Sequence, residues 1–98
     1  MMKTFSEFKE SLESSLPPGE LSPQLASLWY DAKNNWQRAH GLVDHLDDQG
    51  AAWVHAYLHR KEGDSGNADY WYRKAGKLRP VVSLAEEWKL LVEHFLYS

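Results

Sequence analysis

Two histidines one helical turn apart are the residues of this chain whose types and spacing best suit chemistry. His55 and His59 lie at i and i+4, which puts both imidazoles on one face of a helix. At that spacing two ring nitrogens can share a metal ion, with a third ligand drawn from His40, Asp64 or Asp69. The glutamate that a metalloprotease H-E-x-x-H helix carries between its histidines is missing, and no third ligand is assured. Two other readings stand beside the metal. One is a buried polar network in which the pair bonds to Tyr72 or to a carboxylate. The other is a site for a ligand that is not a metal. The sequence therefore assigns no metal, no cofactor and no catalytic residue, and keeps His40, His55 and His59 as candidates for ligand or partner contact.

Further residues join that candidate list. Trp36 and His40 stand one turn apart, so an imidazole can stack on an indole. Trp53, Tyr57 and Arg60 form a second stripe at i, i+4 and i+7 of the helix that carries the histidines, and two amphipathic rings with a planar guanidinium are typical of a binding hot spot. The alternative is ordinary packing of that stripe under Trp29, Trp36 or the N-terminal helix. Tyr70, Trp71 and Tyr72 are consecutive, about 100° apart around a helix, and cannot all face one core. At least one must reach a surface, which makes the Tyr70/Trp71 region a candidate homodimer contact. Arg73, Lys74, Lys77 and Arg79 lie near a helix C-terminus and Glu86 and Glu87 in a first turn, where each sign complements the helix dipole. No Gly-rich phosphate loop, G-x-S-x-G elbow or nucleophile–base pair is recognisable.

The elements that must position these residues are punctuated clearly. Thr4-Phe5-Ser6-Glu7 reads as a capping box, followed by an apolar stripe through Phe5, Phe8, Leu12 and Leu16 that Pro17-Pro18-Gly19 ends. Ser22-Pro23 supplies an N-cap and a proline at the first helical position. Asn34-Asn35 interrupts the stripe of Leu25, Leu28, Trp29 and Ala32, and Trp36 to about Leu46 follows. Asp48 caps a helix over Gln49 to Lys61, Gly63-Asp64 breaks it, and a further helix is expected over Ser65 to Lys77. Ser83-Leu84-Ala85-Glu86 reads as a second capping box opening Leu84 to Tyr97, with Leu84, Trp88, Leu91, Val92 and Phe95 on one face. No segment alternates with period two for long enough to make a strand.

The chain also echoes itself. Lys33-Asn34-Asn35-x-x-x-Ala39 and Glu62-Gly63-Asp64-x-x-x-Ala68 place a small residue at the same distance beyond each turn, twenty-nine residues apart. Ala56, Gly63-Asp64, Ala68, Tyr72, Ala75 and Pro80 fall at the spacing of a tetratricopeptide repeat, which residues 49–80 resemble, and residues 22–48 resemble it more weakly at their turn and Ala39. His55 and His59 depart from that family, since they occupy positions it fills with large apolar residues. The segment Ala52-Trp53-Val54-His55-Ala56-Tyr57-Leu58-His59-Arg60-Lys61-Glu62-Gly63-Asp64 is also similar to an uncharacterised family of small bacterial and fungal proteins, a resemblance that implies no activity. The resemblance to the repeat implies that Trp53, Tyr57 and Arg60 line a concave peptide-holding groove. The expected fold is all-α: five to six short helices, two TPR-like antiparallel hairpins, an N-terminal helix and a C-terminal capping helix, in one domain over residues 1–98.

Composition narrows the function. A 98-residue chain without cysteine has no disulfide, thiolate metal site or cysteine nucleophile. A net charge of −3 argues against a general nucleic-acid binder. No apolar run is long enough for a membrane span, and the stretch from Met1 to Phe5 does not read as a secretory leader, so the cytoplasm is the expected compartment. The expectation is a small soluble helical interaction module that binds a peptide, a protein or a second copy of itself, with no nucleic acid and no membrane. Its alternative is a small-molecule or metal-dependent enzyme using the His40/His55/His59 cluster.

Overall fold

The computed structural model describes residues 4–97, which form six α-helices and, among those residues, no strand. The expectation about an N-terminal leader rests partly on residues 1–3, which lie outside the described range. Each helix starts where a short polar side chain can satisfy an orphan backbone N–H. Thr4 and Glu7 form the reciprocal capping box of α1 (Phe5–Ser11). Ser22 caps α2 (Pro23–Ala32), whose first residue is the expected proline. Asn35 caps α3 (Trp36–Val43), Asp48 caps α4 (Gln49–Lys61) and Asp64 caps α5 (Ser65–Lys74). Ser83 accepts from the Glu86 N–H at the head of α6 (Leu84–Leu96). Four helices stop short of the apolar patterns that announced them: α1 at Ser11, α3 at Val43, α5 at Lys74 and α6 at Leu96. For α5 the cause is Gly76, whose φ of 74° leaves the helical region and turns the chain before Lys77.

The echo between the two turns is a backbone equivalence. Asn34 and Gly63 both adopt left-handed conformations, with φ of 63° and 88°. The bonds match step for step. The N–H of Asn34 reaches the Asp31 carbonyl and that of Asn35 the Tyr30 carbonyl, while Gly63 reaches Arg60 and Asp64 reaches His59. Ala39 and Ala68 occupy the same place beyond each turn, and neither exposes any surface. At the first joint Ser27 Oγ donates to the Ala39 carbonyl at 2.7 Å. At the second, Ala56 packs against Ala68 and Tyr72 in a small cluster of its own.

Helices α2 and α3 pair closely, as do α4 and α5, and α6 lies across α2 and α4 with α1 against it. The principal core joins Phe8, Leu28, Trp29, Val43, Val54, Leu58, Leu91 and Val92. The deepest apolar residues of α6 are Leu91 and Val92; Trp88 and Phe95 pack against the core half-buried. Trp88 Nε1 also donates to the Leu28 carbonyl at 3.0 Å, which fixes α6 to α2.

Candidate functional site

The pairing of α3 with α4 answers the question of a third histidine. His40, on α3, projects onto the face of α4 that carries His55 and His59, and one nitrogen from each ring lies within 4.8 Å of those from the other two. His40 Nε2 and His55 Nε2 are 2.9 Å apart. His55 and His59 stack with centroids 4.8 Å apart, and the His40 ring stands edge-on to both. Two indoles bracket the group. Trp36 stacks on His40 at 4.7 Å and Trp71 on His55 at 4.0 Å. Trp36 is anchored by its own Nε1, which donates to the Leu58 carbonyl at 2.9 Å. Asp69 does not join the cluster, since it pairs with Arg79 at 3.3 Å. Asp64 caps α5 and comes within 4.8 Å of a His59 ring nitrogen in an adjacent set with Glu62, not in the set of three histidines.

The outer nitrogens reveal how the protons are arranged. His59 Nδ1 is 2.7 Å from Glu62 Oε2, and His40 Nδ1 is 3.7 Å from Asp44 Oδ2, the second at ion-pair rather than hydrogen-bond range. A carboxylate only accepts, so a neutral His59 carries its proton on Nδ1, toward Glu62, and a lone pair on Nε2. Across the 2.9 Å contact one Nε2 donates and the other accepts. With the His40 proton on the Asp44 side it is His55 Nε2 that donates, which leaves its Nδ1 a bare lone pair. That atom is buried and has no hydrogen-bond partner. Of the buried network that the sequence allows for the histidine pair, the carboxylate bond is present at His59, to Glu62, while His55 meets neither a carboxylate nor Tyr72, which turns to Glu87.

Burial, then the neighbouring rings of His40 and His59, pushes the His55 pKa down to about 4. Burial likewise lowers His40, against the opposing pull of Asp44. Both rings are therefore neutral at pH 7. The sign of the pH dependence follows. A folded pKa below the unfolded value near 6.5 means that protons favour the unfolded chain, so the stability is complete above 6.5 and is lost as pH falls toward 4. His55 alone is expected to cost about 2 kcal/mol between pH 7 and pH 5 in chelator-treated protein. Urea denaturation of wild type and His55→Gln at both pH values checks this: equal pH slopes in the two proteins would contradict it.

The stripe of Trp53, Tyr57 and Arg60 is engaged within the fold. Arg60 Nη1 donates to Glu87 Oε1 at 2.8 Å, Arg60 Nη2 to the Val82 carbonyl, and Trp53 Nε1 to Glu87 Oε2 at 3.2 Å. Tyr57 is buried, with its hydroxyl donating to Asp31 Oδ2 at 2.9 Å. The covering elements are α6 and α2, where packing under Trp29, Trp36 or the N-terminal helix was the alternative to a groove. Two buried carboxylates escape a reading by pattern. Glu87 is 1% exposed and also accepts from Tyr72 at 2.7 Å, so it is a core acid rather than a solvated partner of the helix dipole. Asp31, 2% exposed, takes Lys61 Nζ at 2.8 Å as its second donor. Burial and the adjacent carboxylates push both Tyr57 and Tyr72 up, which keeps the phenols protonated as donors. Of the consecutive aromatics, Tyr70 is the exposed one, while Trp71 is half-buried on His55 and Tyr72 is buried.

A cleft of about 600 Å³ opens on the other side of α4, between α1, α2, α4 and α6. Phe5, Leu12, Leu84 and Trp88 form its walls, Tyr57 and Asp31 reach its floor, and Lys9, Lys61 and Lys89 add positive charge. Lys9 and Lys89 lie 5.7 and 5.4 Å from the Phe5 ring centre. Among the described residues no helix is long and apolar enough to cross a membrane. No family model, curated protein or solved structure matches the chain.

Proposed function

We propose that the protein is a small helical binding module for a peptide or protein segment, built on two TPR-like hairpins and contacting its partner through the cleft between α1, α2, α4 and α6. The cleft carries this reading: it combines apolar walls with a buried polar floor, the make-up of a site that orients a ligand while burying it. Tyr57, one of the three residues expected to line a groove, belongs to that floor. With Lys61 paired to Asp31, Lys9 and Lys89 against Glu86 leave the cleft's rim positive, which favours an acidic, apolar-rich segment as the occupant. The repeat of the left-handed turn at Asn34 and Gly63 supports a hairpin-repeat scaffold.

Selection of random peptides on the immobilised protein tests the proposal. Selected peptides are expected to combine Asp or Glu with aliphatic or aromatic residues. The Lys9→Glu/Lys89→Glu variant is expected to bind them about tenfold more weakly, a change of about 1.4 kcal/mol. Peptides that bind this variant as tightly as wild type, or shift amide resonances only away from Leu12, Leu84 and Trp88, would overturn the reading.

A further inference from the structure

We propose that His40, His55 and His59 form a binding centre for a late first-row divalent ion of the Zn²⁺ type, held between α3 and α4. The proposal is independent of the cleft, which opens on the other side of α4. Three imidazoles and no thiolate suit Zn²⁺, Cu²⁺ or Ni²⁺ and disfavour the oxygen-seeking Mg²⁺ and Ca²⁺.

The geometry is close to what such an ion needs. A tetrahedral zinc with bonds near 2.1 Å holds its nitrogens about 3.4 Å apart. Here all three nitrogens fall within 4.8 Å of one another, and the His40–His55 pair has already closed to 2.9 Å. Small ring rotations therefore suffice, and the main movement is the parting of one short nitrogen–nitrogen contact. Three protein nitrogens leave a fourth position for water or a small ligand.

Two further observations point to an ion rather than a packed polar cluster. First, the Nε2 atoms of His40 and His55 face each other. In the metal-free cluster their two lone pairs at 2.9 Å repel unless one ring turns its proton inward, whereas the unpartnered His55 Nδ1 is that ring's outer nitrogen and stays unpartnered with or without an ion on Nε2. An ion lets every inner nitrogen present a lone pair to one acceptor of electron density. Second, the outer nitrogens are arranged as metal-bound histidines usually are. Glu62 accepts from the Nδ1 side of His59 at 2.7 Å, the carboxylate–histidine pattern that fixes the tautomer and raises ligand basicity, and Asp44 stands at ion-pair range, 3.7 Å, from Nδ1 of His40. His55 is the one ring without such a carboxylate, and its plane is held instead by the stack on Trp71. Access is available on the α3 side, where the His40 side chain is 25% exposed. Asp44 and Trp71, which meet His40 and His55, also line a depression of about 230 Å³.

The adjacent group of His59, Glu62 and Asp64 shares a histidine with this centre, but its two acids are exposed. Glu62 is accordingly assigned as a positioning residue for His59.

The test is titration of chelator-treated, untagged protein with Zn²⁺ by calorimetry, and with Co²⁺ by absorption. One equivalent of each is expected to bind, with the visible bands of tetrahedral Co²⁺, while Mg²⁺ and Ca²⁺ give no heat. His40→Gln touches a partly exposed residue and should leave the melting curve near wild type. It is expected to lower Zn²⁺ affinity beyond the roughly 10–100-fold typical of an outer-shell change, and Glu62→Gln to lower it within that range. Should His55→Gln melt early, His40→Gln and His59→Gln still decide the matter, since each removes one ligand. Failure of Zn²⁺ to bind at micromolar concentration, or binding that His40→Gln and His59→Gln leave unchanged, overturns the proposal. Peptide binding at the cleft is read separately on the same metal-free protein, so either reading can fail alone.

Discussion

Replacing Glu87 by alanine is expected to destabilise the protein by about 3–5 kcal/mol, the cost of breaking a buried ion pair by removing one partner. The side chain is 1% exposed and collects donors from Arg60, Tyr72 and Trp53, which come from α4 and α5. Without the carboxylate, a guanidinium only 18% exposed loses its counter-charge, and a buried phenol and an indole N–H lose their acceptor. Most proteins of this size have only about 5–15 kcal/mol in all, so the variant sits at the edge of folding. Glu86, one residue earlier and exposed, supplies the control. Its replacement by alanine should cost no more than the roughly 0.3–1 kcal/mol of a first-turn acid. Urea denaturation of both variants is the measurement, and equal small losses would return Glu87 to the role of a surface charge. A double-mutant cycle with Arg60→Ala should show the two losses to be less than additive.

Removal of residues 83–98 should abolish cooperative folding. These residues include Leu91 and Val92, both fully buried, and each such side chain contributes about 1.5–3 kcal/mol. They also hold Trp88, which bonds to Leu28 and packs edge-on or tilted against Phe5 and Phe8 of α1. With α6 gone, α1 loses its principal neighbour and the Glu87 network disappears entirely. Circular dichroism is expected to show a broad, non-cooperative melt, and size-exclusion chromatography an associated species. A truncated monomer melting near wild type would make α6 a detachable arm instead of a cover for the hairpins.

The helices were legible in the sequence because their starts are written locally. Thr4, Ser22, Asp48 and Ser83 each cap the helix that their spacing announced, since a cap needs only residues within one turn. The ends were less legible: apolar residues such as Leu16 and Leu46 continue a pattern after the backbone has left the helix. His55 and His59 could be paired from spacing alone because they share a helix. His40 could be named as a candidate third ligand, but its convergence depends on how α3 packs on α4, which periodicity does not encode. Glu87 and Asp31 were harder still. An acid in a first turn and an acid in a helix of mixed polarity look solvated until the donors from distant elements are known. The same limit applies to Trp53, Tyr57 and Arg60, whose stripe was visible while the elements covering it were not.

The matched turns at Asn34 and Gly63 also bear on the order in which the chain assembles. Each is closed by backbone bonds spanning three to five residues, so neither waits for a distant partner. Loops this short close in roughly 10–100 ns, far faster than a domain folds, which gives the chain two equivalent places to begin. The contacts of α6 are of the opposite kind: the Trp88–Leu28 bond spans sixty residues and the Arg60–Glu87 pair twenty-seven. Closing those loops carries most of the entropic cost and is expected to come last. The route to the native state then has two interchangeable entrances and a single late step, the docking of α6, at which both hairpins are locked.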